Sequence, residues 1–267
     1  MNLKRIISGL IGFPIVVAII MIGNKYLIDA VFAVIMLISI HEFQNAIGNK
    51  FKPVKWLGYI LAIGTAFIHI VPLEIMQRIL ILLIPMVIAI LFIKIVVSKM
   101  ETNFNDITME LFGLLYVIGF TVFMPLLYWE NNGKYLIMYI LLSAWGSDTF
   151  AYAIGRRFGK HKLTVISPKK SVEGSIAGII GAVLVCLCYT VLINKVANLG
   201  INYMYIALIT MLLSALSQIG DLAASSIKRY VEIKDYGNLI PGHGGMLDRI
   251  DSIIFIAPFA YFLLTLI

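Results

Sequence analysis

The chain has 267 residues, 61% hydrophobic and only 13% charged, with a formal net charge of +7. Soluble domains carry about 25% charged residues, so the composition argues against a water-soluble domain and for a single polytopic membrane domain. Its two cysteines, Cys186 and Cys188, sit two positions apart in one apolar run, where a helix turns them to nearly opposite sides, so neither a disulfide nor a shared metal is expected.

Nine segments are apolar and long enough to cross a bilayer: 4–23, 27–45, 53–71, 76–98, 108–129, 135–155, 174–194, 202–222 and 250–267. The first, in MNLKRIISGLIGFPIVVAIIMIG, has the basic start of a signal peptide. Its run is as long as a span, though, and no small-residue cleavage site follows, so it reads as a retained helix. Lipid offers no partner to unpaired backbone groups, and runs this continuous do not suit barrel strands. The expected fold is all-α, a polytopic integral membrane protein of about nine transmembrane helices with a cytoplasmic N-terminus. Residues 1–130 would form N-terminal transmembrane helices, and 131–267 a C-terminal region with the chemistry-bearing loops, as one integrated membrane domain.

The orientation comes from lysine and arginine. With the N-terminus inside, 17 of the 21 basic residues fall on the cytoplasmic side; Lys25, Arg78, Lys134 and Lys195 do not. Two loops on that side stand apart. One, about 156–173, reads RRFGKHKLTVISPKKSVE; the other, about 223–249, contains KDYGNLIPGHGGMLDRID with its neighbours. Function on a charged substrate should face the cytoplasm.

Asp248 and Asp251 are three apart at the start of the last span, where a helix places them on one face. Such a pair is either a solvated helix start or a hard-cation site. Asp221, at the end of the eighth span, could add a third carboxylate, since ionised groups at membrane depth usually face a partner or polar cavity. Asp148 is open to a buried polar role or to site support. Glu42 could support the pocket or reach interfacial water, and the latter is expected. In SPKKS, Lys169 and Lys170 precede a helix with Ser171 as N-cap and Glu173 in its first turn; the lysines and the helix N-terminus both favour phosphate. Lys228, Arg229 and Lys234 form a second basic group; topology alone could explain any of these cations. Gly242, Gly244 and Gly245 permit backbone shapes that expose successive N–H groups to an anion. His243 between them could donate to a phosphate oxygen or protonate a leaving group. Gly146, Gly155 and Gly220 could allow close helix approach. Taken together, this is equipment for a polyphosphate at headgroup depth.

The stretch SSIKRYVEIKDYGNLIPGHGGMLDRID resembles the signature of the phosphatidate cytidylyltransferases, also called CDP-diacylglycerol synthases. Ser225, Ile227, Lys228, Arg229, Lys234, Asp235, Gly237, Pro241, His243, Gly244, Gly245, Asp248, Arg249 and Asp251 fill the pattern. SDTFAYAIGRRFGK and SPKKSVEGSIAG are similar to the same family, and the convincing likeness covers roughly 143–267. The resemblance implies that CTP and phosphatidate give CDP-diacylglycerol and pyrophosphate. It also implies a requirement for Mg²⁺, with a second cation left open, and a homodimer in the cell membrane; no nucleic-acid partner is expected. On this reading Asp221, Asp248 and Asp251 hold the metal. Lys169, Lys170, Lys228, Arg229 and Lys234 offset phosphate charge, while His243 and its glycines hold the outer phosphates. Two rival readings remain: a CTP-dependent lipid kinase of the dolichol kinase type, and an ion-coupled transporter using Asp148 and Asp221. A CDP-alcohol phosphotransferase needs a longer series of acids, which is not found here.

Overall fold

The computed structural model describes residues 3–71, 73–99, 101–239 and 244–266. Every named element among them is helical: α1 (Leu3–Ile22), α2 (Lys25–Ile47), α3 (Lys55–Gly64), α4 (Leu73–Val97), α5 (Phe104–Gly113), α6 (Phe123–Trp129), α7 (Gly133–Phe158), α8 (Val172–Ala197), α9 (Tyr203–Tyr230) and α10 (Leu247–Leu264). The all-α expectation holds. Among the described residues four helical stretches are long and apolar enough to cross a membrane: Lys25–Ile47, Phe104–Trp129, Val172–Ala197 and Tyr203–Tyr230.

All nine expected intervals fall on helix, but not all are simple rods. The third is only the ten residues of α3 plus a 3₁₀ turn at Thr65–Phe67. At the usual rises that is about 21 Å, short of a hydrocarbon core of roughly 30 Å. The fifth is α5 and α6 joined through a π-helical turn at Leu114–Gly119. Several helix starts carry side-chain caps, although Asn132 before α7 makes none. Asn24 accepts from the Leu27 amide at 2.7 Å, and Asn103 with Asp106 forms a full capping box on α5.

The chain divides into two compact units. The first comprises residues 1–125 with 230–249, the second 126–229 with 250–267. The loop after α9 therefore groups with the N-terminal helices.

In the first unit the core forms around α2, whose Met36, Ile40, Phe43 and Ile47 have no exposed surface. The Phe43 ring meets Phe112 and Tyr236, with centroids 6.3 Å away in both cases. In the second unit α7 and α8 pack along small residues. A Cβ on Gly146 would stand 3.1 Å from the Ala182 Cα, and one on Gly155 3.2 Å from the Gly174 Cα. Close backbone approach through small residues is how helices associate where lipid removes the hydrophobic drive. Gly220 of α9 similarly receives the Phe255 side chain of α10.

Candidate functional site

The second unit holds a cavity of about 590 Å³, a size ordinary for small-molecule sites. Its wall includes Asp148, Arg156, Lys169, Lys170, Ser171 and Gln218. Arg156 comes from the last turn of α7, which runs further than the sequence pattern indicates, to Phe158. Lys169 and Lys170 come from the loop before α8, held by a bridge between Lys162 and Ser171 and by Leu163 donating its amide to Lys170 O at 2.9 Å. Three cations thus line one concave wall.

Ser171 caps α8 as expected, its Oγ accepting from the Gly174 amide at 3.2 Å. The Val172 amide donates to His161 O at 3.0 Å. Glu173 accepts from the amides of Lys160 (3.1 Å) and His161 (3.3 Å), and its Oε1 lies 2.6 Å from His161 Nδ1. Two of the first α8 amides therefore already have protein partners, and the positive charge of the wall comes from Arg156, Lys169 and Lys170.

Gln218 is a residue the sequence reading missed. Its Nε2 donates to Ser147 Oγ and to Ser175 O, both at 3.0 Å, and its Oε1 accepts from Ser175 Oγ. It ties α7, α8 and α9 together beneath the cavity. A polar amide in the apolar run before IGD was its one visible signal. Asp148 is exposed and lines the cavity, which fits site support.

Lys170 is ion-paired with Asp221, both side chains about one quarter exposed. Asp221, Lys228 and Asp148 all act electrostatically on the buried Asp251. Lys228 and Arg229 occupy the last turn of α9. Among the described residues no three His, Cys, Asp or Glu side chains are grouped to hold a metal ion. Mg²⁺ does not require such a cage, because it takes one or two carboxylates and completes its shell with waters and substrate phosphates. Asp221 and Asp251, two carboxylates within electrostatic reach in one unit, fit that donor chemistry.

The first unit carries the remaining residues. Asp248 lies in the first turn of α10 and is buried. Its Oδ2 accepts from the Tyr236 amide at 2.8 Å and the Gly245 amide at 3.0 Å. Gly244 has φ +83°, a conformation that L side chains rarely adopt, as the expected loop shape requires. Gly245 differs: its N–H, expected to be offered to an external anion, donates to Asp248. Lys234 is exposed. Gly242 and His243 lie outside the described residues.

Glu42 corrects the expectation of a water-facing acid. It is 7% exposed, and its Oε1 and Oε2 accept from the amides of Met246 (3.0 Å) and Leu247 (2.8 Å). Those partners lie some two hundred residues away in sequence, which is why no local pattern announced them.

The cytidylyltransferase family model matches residues 3–267. The chain belongs to the cytidylyltransferase family. It is 35% identical to the phosphatidate cytidylyltransferase of Staphylococcus epidermidis RP62A over 265 residues, covering 97% of this chain and 98% of that one. The Staphylococcus aureus COL protein of the same name is 34% identical over 266 residues, with the same shares. That of Bacillus subtilis 168 is 39% identical over 173 residues, 64% of this chain and 63% of that protein. Family likeness thus reaches into the N-terminal half, beyond the stretch in which the motifs are recognisable by eye, and includes the α2 helix that carries Glu42.

Proposed function

We propose that the chain transfers the CMP part of CTP to phosphatidate, giving CDP-diacylglycerol and pyrophosphate. The observation that carries this reading is the cavity walled by Arg156, Lys169 and Lys170, in a chain that fills the family signature through Asp251. A phosphatidate oxygen attacks the α-phosphorus of CTP, and the bond to the bridging oxygen of the leaving pyrophosphate breaks. The attacking group is already an anion at neutral pH, so the main barrier is repulsion between phosphates, and positioning with electrostatics meets it.

Lys169 and Lys170 offset nucleotide charge in the cavity. Lys228, Arg229 and Lys234 do so for the remaining phosphates. Gly242, His243 and Gly244 hold the outer phosphates, while Gly245 shapes their loop. Asp221 and Asp251 would hold Mg²⁺; Asp248 is a further candidate ligand on the strength of the family signature alone, and a second cation belongs to the same proposal. Bound there, Mg²⁺ would supply Lewis-acid stabilisation of the phosphate oxygens.

Nine crossings and a cytoplasmic N-terminus and site complete the reading. The short α3 segment must count as a crossing for this to hold. Treated as non-crossing, it divides the same 21 cations thirteen to eight, instead of seventeen to four. A homodimer in the cell membrane follows from the family resemblance, and light scattering of the solubilised protein tests it.

The experiment supplies purified protein with CTP, phosphatidate and Mg²⁺ and follows products by mass spectrometry, with a chelator control. CDP-diacylglycerol and pyrophosphate in equal amounts support the proposal. CDP without pyrophosphate points to a lipid kinase, and CTP-independent ion flux to a transporter.

A further inference from the structure

The loop that ends at α10 is built around a carboxylate from the N-terminal half of the chain. An α-helix leaves its first amides without intrahelical acceptors. Here the residues just before Leu247 are Gly244, Gly245 and Met246, none with a side-chain oxygen to cap them. Instead, three successive amides donate to carboxylates: Gly245 to Asp248, then Met246 and Leu247 to the two oxygens of Glu42. Two glycines complete the arrangement. A Cβ on either Gly237 or Gly245 would overlap the Glu42 carboxylate. The described loop residues therefore flank an internal anion, and a side chain at either glycine would force that carboxylate to move.

We propose that Glu42 is a positioning residue for the transfer reaction, fixing Gly237 on one side and Gly245 to Leu247 on the other, and with them the carboxylate of Asp248. The catalytic part of this inference rests on the transferase reading; the contact itself does not. Glu42→Gln keeps the shape but can accept through one atom only, and it turns an N–H₂ toward the second amide. Losing a buried charged acceptor in this way costs about tenfold or more in kcat. Arg156, Lys169 and Lys170 of the cavity are untouched by the substitution, so any rise in KM for CTP reports the loop's hold on the outer phosphates.

The test uses the full chain in lipid-doped detergent, with rates normalised to protein that elutes folded. Hydrogen exchange at residues 244–248 is measured beside kcat and KM for wild type, Glu42→Gln, Glu42→Ala, Gly245→Ala and the Glu42→Ala/Gly245→Ala double variant. Expected are faster exchange at Met246 and Leu247 and a lowered kcat in Glu42→Gln. Gly245→Ala should cost activity alone but add little to Glu42→Ala, where the space has been vacated. Wild-type exchange and kcat in Glu42→Gln would overturn the proposal, as would a Gly245→Ala penalty that multiplies fully in the double variant. If wild type makes no CDP-diacylglycerol, the transferase reading fails, and the exchange rates alone decide whether Glu42 holds the loop.

Discussion

Lys170 is ion-paired with Asp221 within the second unit. A cation on the cavity wall is thus neutralised by an acid proposed for the metal. A ligand set that draws Asp221 to Mg²⁺ and Lys170 to phosphate competes with this pair, and the proposed function expects the pair to loosen as substrate binds. Lys170→Ala is expected to raise KM for CTP about tenfold, a loss typical of one charge-assisted contact. The partly exposed pair itself contributes ~1 kcal/mol or less to stability. Initial rates over a CTP series, with a thermal melt of the same samples, check both statements.

Asp248→Asn separates charge from scaffolding. Asparagine keeps one oxygen for the amides of Tyr236 and Gly245, so the loop should remain folded. Activity should nonetheless fall by ~3 kcal/mol or more, the scale of losing one preorganised electrostatic group. CTP-dependent product at matched membrane expression is the measurement, and activity near wild type would remove Asp248 from the reaction.

Two glycine substitutions should move stability in opposite directions. At Gly220 an added Cβ would lie 2.5 Å from that of Phe255, so Gly220→Ala should destabilise by about 1–3 kcal/mol. At Gly64, the last residue of α3, nothing lies within 4 Å of the added carbon, and Gly64→Ala should stabilise by roughly 0.5–1 kcal/mol. Unfolding midpoints in one detergent compare them.

Glu110→Gln should leave the fold intact or raise its melting temperature. Gln44 Nε2 donates to Glu110 Oε1 at 2.7 Å, while Gln44 Oε1 and Glu110 Oε2 are buried without a hydrogen-bond partner. A second amide at 110 keeps the existing bond, supplies donors for an orphaned acceptor and removes a buried acid. A clear drop in melting temperature would show that the carboxyl group itself is needed.

The Lys50 ammonium lies 2.7 Å from Glu232 and holds its carboxyl below the ordinary range, first through the hydrogen bond and then through charge. A depressed carboxyl contributes stability that is present above its unfolded value and lost as pH falls through the folded one. Lys50→Ala should therefore change the pH dependence of melting only below about pH 5, where the unfolded carboxyl begins to protonate. Melts at about pH 7 and pH 6 should show equal offsets between variant and wild type.

The local features were legible because each depends on neighbours in sequence. Ser171 precedes a helix it can cap, the lysines of SPKKS sit in the loop before it, and Gly244 takes the left-handed conformation that a glycine-rich turn suggests. Helix ends were less legible. The α7 and α9 helices run on to Phe158 and Tyr230, carrying Arg156, Lys228 and Arg229 as last-turn residues, since charged side chains stop an apolar pattern without stopping a helix. The shortness of α3 was hidden for the complementary reason: an apolar run continues past the point where the helix tightens and ends.

From the sequence by itself came the solvent, the helical architecture, the orientation bias and the chemical class of the loops, because hydrophobicity, cation placement and side-chain type are properties of single residues summed along the chain. Tertiary structure alone decided that Glu42 caps α10, that Gln218 joins three helices, that Lys170 meets Asp221, and that the amide of Gly245 turns inward to Asp248. Each of these is a pairing between donors and acceptors distant in the chain, or a choice among several possible local partners, and only packing determines which of them meet.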